Sequence, residues 1–149
     1  MMGTCMEKLL LLTTLLLPSL TYAIDPLNGT NWKTIDDKTN QATAIVQFNE
    51  DKNGNLTAKI KKVLVPGEED VCKSCVGEFK NKSLKELVIV TSLKKVGENE
   101  YENGKILDPD TGKVYRFNAR IESNGKKLIG RGYVGLSLIG RNQIWYRVN

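Results

Sequence analysis

Apolar and polar residues alternate one by one through much of the chain. The clearest case is "KVYRFNARIE" at residues 113–122, where every second residue from Tyr115 to Ile121 is apolar and the residues between them are charged or polar. Residues 43–48 and 55–62 show the same period. A period of two with one polar face predicts antiparallel strands that cover a single core.

Turn signals separate these alternating runs. Asn53-Gly54 and Asn124-Gly125 are typical of tight hairpins, and "DPDTG" at 108–112 is a further turn signal. The pattern predicts eight strands, near residues 30–37, 43–49, 55–65, 86–96, 101–107, 113–122, 126–134 and 142–148. Eight strands joined by short hairpins predict an all-β fold, an antiparallel up-and-down barrel that removes free sheet edges by closure. A two-sheet sandwich is the alternative.

The first 23 residues have the organisation of a secretory signal peptide. A leucine-rich run from Leu9 to Leu17 is followed by Pro18 and small residues, with cleavage expected after Ala23. The apolar run is too short for a stable membrane anchor. We therefore expect a cleaved signal peptide, 1–23, a single barrel domain, 24–149, and a periplasmic or secreted bacterial protein with no transmembrane anchor.

Composition restricts the chemistry. The 149 residues carry a net charge of +5 and contain no histidine, which excludes imidazole-dependent catalysis and histidine-based metal sites. Nucleic-acid binding favours aromatic residues interleaved with basic ones on an exposed face, whereas the aromatic residues here fall mostly on apolar faces. We expect no cofactor, no metal, no nucleic-acid partner and no catalytic residues.

The two cysteines that follow the signal peptide lie close together. Cys72 and Cys75 form "CKSC" within the long connection at 66–83. In an exported protein a structural disulfide is the expected state. A redox role would favour this motif at the start of a helix after a strand, and a closed zinc site needs four ligands, so both alternatives fit the sequence less well.

Five segments together resemble a family of exported bacterial proteins, domain of unknown function 2147, which is itself similar to the lipocalin-like barrels called calycins. The segments are "GTNWKTIDDKT", "CKSC", "GKILDPDTGKVY", "RGYVG" and "GRNQIWYR". The calycin resemblance implies that a tryptophan in the first strand is covered by an arginine in the last strand. Trp32 and Arg147 occupy those positions, which predicts a cation–π contact that closes one end of the barrel.

The family resemblance assigns no role to two further arginines, Arg131 and Arg141. Arg131 and Arg141 are candidates for salt bridges with Asp36 or Asp108, or for an anion-binding site at the barrel mouth. In the last strand, Arg141 shares one face with Arg147, and the pattern does not say which face points inward.

If the barrel is hollow, alternation predicts that its interior wall is lined by Val46, Phe48, Ile60, Tyr115, Phe117 and Ile121. This set favours a small apolar or amphipathic ligand, and a basic rim would favour an anionic head, as in a fatty acid. The apolar loop "GLSLIG", 135–140, is expected either to plug the barrel or to form a lip at the cavity mouth. The alternative functions are an envelope interaction or inhibitor module that uses rim loops, and an enzyme with two facing carboxylates.

Overall fold

The computed structural model describes residues 23–67 and 70–148, together with Gly3 and Pro18. The predicted signal peptide, 1–23, therefore lies outside the described residues except for Gly3, Pro18 and Ala23. Within the described chain, no helix has the length and apolar character needed to cross a membrane.

Eight strands account for most of the described chain. They are β1 (Asn31–Ile35), β2 (Ala42–Glu50), β3 (Leu56–Val63), β4 (Val88–Lys95), β5 (Glu100–Asp108), β6 (Lys113–Ile121), β7 (Lys127–Tyr133) and β8 (Gly140–Val148). Each strand pairs antiparallel with the next in sequence, and β1 also pairs with β8. The pairing of the first strand with the last closes the barrel, so the predicted fold class is confirmed and the sandwich alternative is wrong.

Alternation decides which side chains face inward. In β6, Phe117 and Ala119 are buried, whereas Arg116 and Arg120 are exposed on the outer surface. The same alternation in the other strands produces one continuous apolar core inside the barrel. Burying these side chains is the main favourable contribution to the stability of such a fold.

One end of the barrel, which we call the closed end, is sealed by the segment that leads into β1. Leu27 is only 1% exposed and packs into the core from a turn at residues 26–29. Beside it, the Tyr101 hydroxyl donates a hydrogen bond of 3.0 Å to Oδ1 of Asp25. The segment directly after the predicted cleavage site is therefore part of the folded core.

At the opposite end, which we call the open end, the long connection between β3 and β4 lies against the β5–β6 turn. This connection contains a short 3₁₀ helix, Gly77–Phe79, and a disulfide between Cys72 and Cys75. The turn approaches it so closely that a β-carbon at Gly112 would lie 1.9 Å from the Ser74 carbonyl oxygen. The connection and the turn therefore form one packed unit at the rim.

Candidate functional site

A cavity of about 560 Å³ occupies the half of the barrel next to the open end. Its wall is mainly apolar and includes Val46, Ile60, Ile89, Ile106, Tyr115 and Phe117. This volume lies within the range of roughly 300–1,000 Å³ that small-molecule sites occupy. The barrel is thus hollow in one half.

The other half is filled by side chains, and three aromatic rings separate the two halves. Phe117 and Trp145 stack with ring centres 5.8 Å apart and an interplanar angle of 25°, and Phe48 lies 6.1 Å from Trp145. All three side chains are at most 2% exposed. We call Phe48, Phe117 and Trp145 the aromatic floor of the cavity.

The six side chains expected on the wall divide at this floor. Val46, Ile60, Tyr115 and Phe117 line the cavity. Phe48 and Ile121 are buried but do not line it, because they lie at and below the level of the floor. Their expected place on the wall is wrong: alternation along a strand specifies that a side chain points inward, but it does not specify the depth at which the interior is filled.

Arg141 and Arg147 lie on the face of β8 that points into the barrel. Trp145 is buried, and Arg141 and Gln143 line the cavity on the same face. Arg147, also on this face, lies at the closed end, where it is paired with Trp32 across the β1–β8 ladder. The expected closure pair therefore stands opposite the cavity and takes no part in it.

Arg141 forms an ion pair at the mouth of the cavity. Its Nε and Nη2 atoms donate hydrogen bonds to both carboxylate oxygens of Asp37 in the β1–β2 loop. This bidentate geometry is the strongest form of an arginine–carboxylate contact. The expected direct partners, Asp36 and Asp108, are wrong for Arg141, although both carboxylates help to raise its pKa after the Asp37 hydrogen bond.

Further carboxylates make the mouth acidic, not basic. Asp36, Asp108 and Asp110 line it, together with Lys38. Burial, reinforced by repulsion from Asp108 and Asp36, raises the pKa of Asp110. The backbone N–H of Thr39 lowers the pKa of Asp36. Because Asp37 neutralises Arg141, the expected basic rim is not what the structure places here.

Arg131 lies on the outer surface of the barrel and holds the β7–β8 loop. Its Nε donates to the Ser137 carbonyl at 2.6 Å, Nη2 donates to the Leu138 carbonyl at 3.2 Å, and Nη1 donates to Oδ1 of Asn142 at 2.8 Å. These partners are uncharged, so the expected salt bridge to Asp36 or Asp108 is wrong for Arg131. Its place outside the barrel also separates it from the cavity.

The loop that Arg131 holds is an exposed apolar lip, and we use this name for residues 134–139. Leu136, Leu138 and Ile139 are 71%, 85% and 72% exposed, so the loop does not fold into the barrel as a plug. Val134 and Ile139 also border the cavity. The apolar lining of the cavity therefore continues onto the outer surface at one side of the mouth.

Two strand glycines contribute to the site and were not singled out from the sequence. Gly130 and Gly132 on β7 line the cavity. A β-carbon at Gly130 would lie 2.7 Å from the Phe117 ring, so only glycine leaves room for that ring. Glycine inside a strand often marks such a close approach, and the "GRG" of residues 130–132 carries that signal.

The disulfide lies at the rim but is not accessible. Cys72 and Cys75 are 1% and 2% exposed, with Cα atoms 5.4 Å apart. A buried disulfide is typical of a structural role, because thiol–disulfide exchange needs a disulfide sulfur that an attacking thiolate can reach from solvent. In the described part of the chain, no group of three or more potential metal-ligating side chains occurs.

Comparison with known proteins agrees with this architecture. The solved structure of protein HP1028 from Helicobacter pylori, described as belonging to the lipocalin family, superimposes with a TM-score of 0.72. The two sequences are 25% identical, and the match covers 83% of each chain. No curated protein sequence matches the chain significantly. A family model described as an uncharacterized protein conserved in bacteria matches residues 30–147, and the chain belongs to that family, domain of unknown function 2147.

Proposed function

We propose that this protein is an exported carrier or sensor that binds one small amphipathic ligand in the open half of its barrel. The observation that carries the proposal is the 560 Å³ cavity, which has an apolar wall, a closed floor and a polar mouth. A filled barrel would have no such space. The lipocalin-like fold supports the proposal, because barrels of eight strands are just wide enough to hold one small ligand.

The polar end of the ligand belongs at the mouth and its apolar end against the floor. Thr34 and Thr43 line the cavity, with their hydroxyl oxygens 2.7 Å apart. The Thr34 hydroxyl is engaged with the backbone of Ala44, so we propose the Thr43 hydroxyl as the one that binds a head group. Asp36, Asp108 and Asp110 make a negative head unfavourable, because like charges repel strongly where solvent is partly excluded. We therefore propose a hydroxyl or ammonium head in place of the carboxylate of a fatty acid.

Binding is tested by displacement of a fluorescent, polarity-sensitive amphiphile. Ile106→Asp places a charge on the cavity wall and should abolish saturable binding. Ile144→Asp makes the same change on the outer face of β8, where Ile144 is 42% exposed, and should leave binding unchanged. Equal loss in both variants, or no saturable binding by the unaltered protein, would contradict the proposal.

The head group is tested with one alkyl chain carrying an ammonium, a hydroxyl or a carboxylate. The ammonium compound should bind about tenfold more tightly than the carboxylate compound at low salt, and the difference should shrink at high salt. Asp110→Asn should reduce the preference and leave the affinity for the hydroxyl compound unchanged. Tightest binding of the carboxylate compound would restore the fatty-acid hypothesis.

Export is tested by the intact mass of the protein isolated from its native host. Cleavage after Ala23 should leave Ile24 as the first residue, three positions before Leu27, which seals the closed end. The same native preparation, analysed by mass spectrometry under non-denaturing conditions, should reveal a bound ligand. A retained leader, or a lipid attached to Cys5 within the predicted signal peptide, would contradict this proposal.

The apolar lip favours a second candidate function, an interaction module that uses the rim on another envelope protein. Four exposed apolar residues in one short loop, Val134, Leu136, Leu138 and Ile139, are typical of a contact surface. This candidate takes precedence if the displacement assay finds no ligand and if a polar substitution at Leu138 abolishes capture of one defined partner.

A further inference from the structure

We infer that the aromatic floor limits the chain length of the ligand, with Phe117 as the residue that sets the limit. This inference rests on the proposed function and adds to it a substrate class: amphiphiles with one chain of medium length.

The cavity stops at the same depth on three strands that are separate in sequence. On β2 it is lined by Val46 but not by Phe48, and on β8 by Gln143 but not by Trp145. On β6, Phe117 is the last inward side chain that lines it. A common depth on several strands indicates a flat barrier across the barrel, and not one side chain that projects into an open channel.

The surrounding groups hold Phe117 firmly in this barrier. Its ring stacks on Trp145 from one side, and Gly130 leaves room for it on the neighbouring strand, where a β-carbon would lie 2.8 Å from ring atom Cζ. Trp145 is itself oriented by a hydrogen bond of 3.4 Å from its Nε1 to Oε1 of Gln143. A ring that stacks on one neighbour and lies this close to the backbone of another strand cannot swing aside without disturbing them.

The space beneath the floor is already occupied. Trp32 and Leu128 are fully buried, and Leu27 closes the end of the barrel behind them. A chain that reaches Phe117 therefore cannot pass into the closed half. Apolar interiors are packed nearly as densely as organic crystals, so each extra methylene would have to displace a side chain.

The volume above the floor translates into a ligand size. Taking a methylene to fill about the space of one water in the liquid, roughly 30 Å³, the cavity of about 560 Å³ holds at most about 18 non-hydrogen atoms. Part of that volume lies at the polar mouth. The ligand class that fits is a single chain of about a dozen carbons with a compact head, and not a two-chain lipid.

The test uses a series of n-alkyl alcohols of about six to about sixteen carbons, a range chosen to bracket that estimate. Their hydroxyl head makes the series independent of the charge preference proposed for the mouth. Affinity should rise with length and then fall about tenfold or more once the chain exceeds the space, as expected for overpacking. Phe117→Ala should move this limit to longer chains by about three carbons.

Two further variants separate the floor from general destabilisation. Leu56→Ala truncates another fully buried side chain, but Leu56 does not line the cavity, so the length limit should stay where it is. Phe117→Leu keeps an apolar side chain in the floor and should shift the limit less than Phe117→Ala. It supplies the comparison if Phe117→Ala does not fold.

Trp145 provides a second measurement on the same proposal. In a Trp32→Phe background, emission from Trp145 should shift only with alcohols long enough to reach the floor, although shorter ones also bind. An identical length limit in the unaltered protein and both Phe117 variants would overturn the inference and leave the proposed function intact. No saturable binding at any length would overturn both.

Discussion

The guanidinium of Arg147 lies over the indole of Trp32, with its central carbon 5.8 Å from the ring centre, and the two residues are directly paired across the β1–β8 ladder. Trp32 is fully buried and its Nε1 donates a hydrogen bond to Oγ1 of Thr30, whereas Arg147 is exposed. The arginine thus covers the indole where β1 and β8 close the barrel. Its contribution is to packing and closure.

Arg147→Ala should lower the free energy of unfolding by about 1–3 kcal/mol, because it uncovers Trp32 and removes the packed aliphatic stem. Arg116→Ala removes an exposed arginine from the outer face of β6 and should change the free energy of unfolding by less than about 0.5 kcal/mol. Urea unfolding measures both values. Equal effects would show that the position over Trp32 has no particular role.

Gly112→Ala should be among the most damaging single substitutions in the chain. The added methyl group would overlap the Ser74 carbonyl, and Gly112 also has a positive φ of 71°. Gly135 has almost the same φ, 69°, but nothing lies within 4 Å of its β-carbon position. Gly135→Ala should therefore cost only the backbone strain, about 1–2 kcal/mol.

The difference between the melting temperatures of Gly112→Ala and Gly135→Ala measures the effect of the steric overlap with Ser74, because both variants carry the same backbone strain. A Gly112 variant that is clearly less stable than the Gly135 variant, or that does not fold, is the expected result. Similar stability of the two proteins would mean that the contact between the β5–β6 turn and the disulfide-containing connection is looser than described.

The disulfide should be inert to alkylating reagents until the protein is reduced and unfolded, because both sulfur-bearing side chains are buried. Replacing Cys72 and Cys75 with serine should cost about 2 kcal/mol, the value expected when so short a loop is no longer closed. Mass spectrometry after alkylation, with and without reductant, measures accessibility. Rapid labelling of the native protein would favour the redox alternative.

Stability should decline in acid partly through Glu86. Its carboxylate lies 2.6 Å from Nζ of Lys59 and 2.5 Å from Nζ of Lys61, and these contacts lower its pKa from 4.5 to about 2. Because the folded-state pKa is the lower one, the stabilisation is complete above the unfolded value and is lost as the pH falls from about 4.5 towards 2.

Glu86→Gln should flatten the dependence of unfolding free energy on pH in that window. Glu78→Gln, at an exposed position in the 3₁₀ helix, is the matched control and should leave the slope unchanged. Added salt should weaken the Glu86 contribution, since all three side chains are partly exposed. A slope that persists in Glu86→Gln would assign the acid response to other carboxylates.

The sequence was sufficient to predict the strands and their order, because alternation and hairpin signals are local properties of the chain. It also identified inward side chains such as Val46 and Phe117. The sequence could not distinguish the cavity wall from the floor. Phe48 and Val46 both lie on the inward face of the same alternating strand, and they differ only in the side chains that pack beside them. The floor depends on Trp145, which lies nearly one hundred residues after Phe48 in sequence. Its ring lies beside that of Phe48 because β8 pairs with β1 and closes the barrel.

The partners of the arginines were predicted less well for a related reason. Asp36 and Asp37 are adjacent in sequence, and the choice between them depends on the shape of the loop, in which Asp36 accepts hydrogen bonds from the backbone of Lys38 and Thr39. The carboxylate of Asp36 is therefore occupied within its own loop, and the carboxylate of Asp37 binds Arg141. Such choices are made by loop geometry, which has no period to detect.

The support that Arg131 gives to the lip has a consequence for how this family can diversify. The hydrogen bonds from Arg131 to the lip end on the main-chain carbonyls of Ser137 and Leu138, so they do not depend on the identity of any lip side chain. The shape of the loop and the chemistry of its surface are thus encoded by different residues. Substitutions at 136–138, which do not line the cavity, can change the surface that the rim presents while the barrel, the cavity and the loop backbone stay as they are.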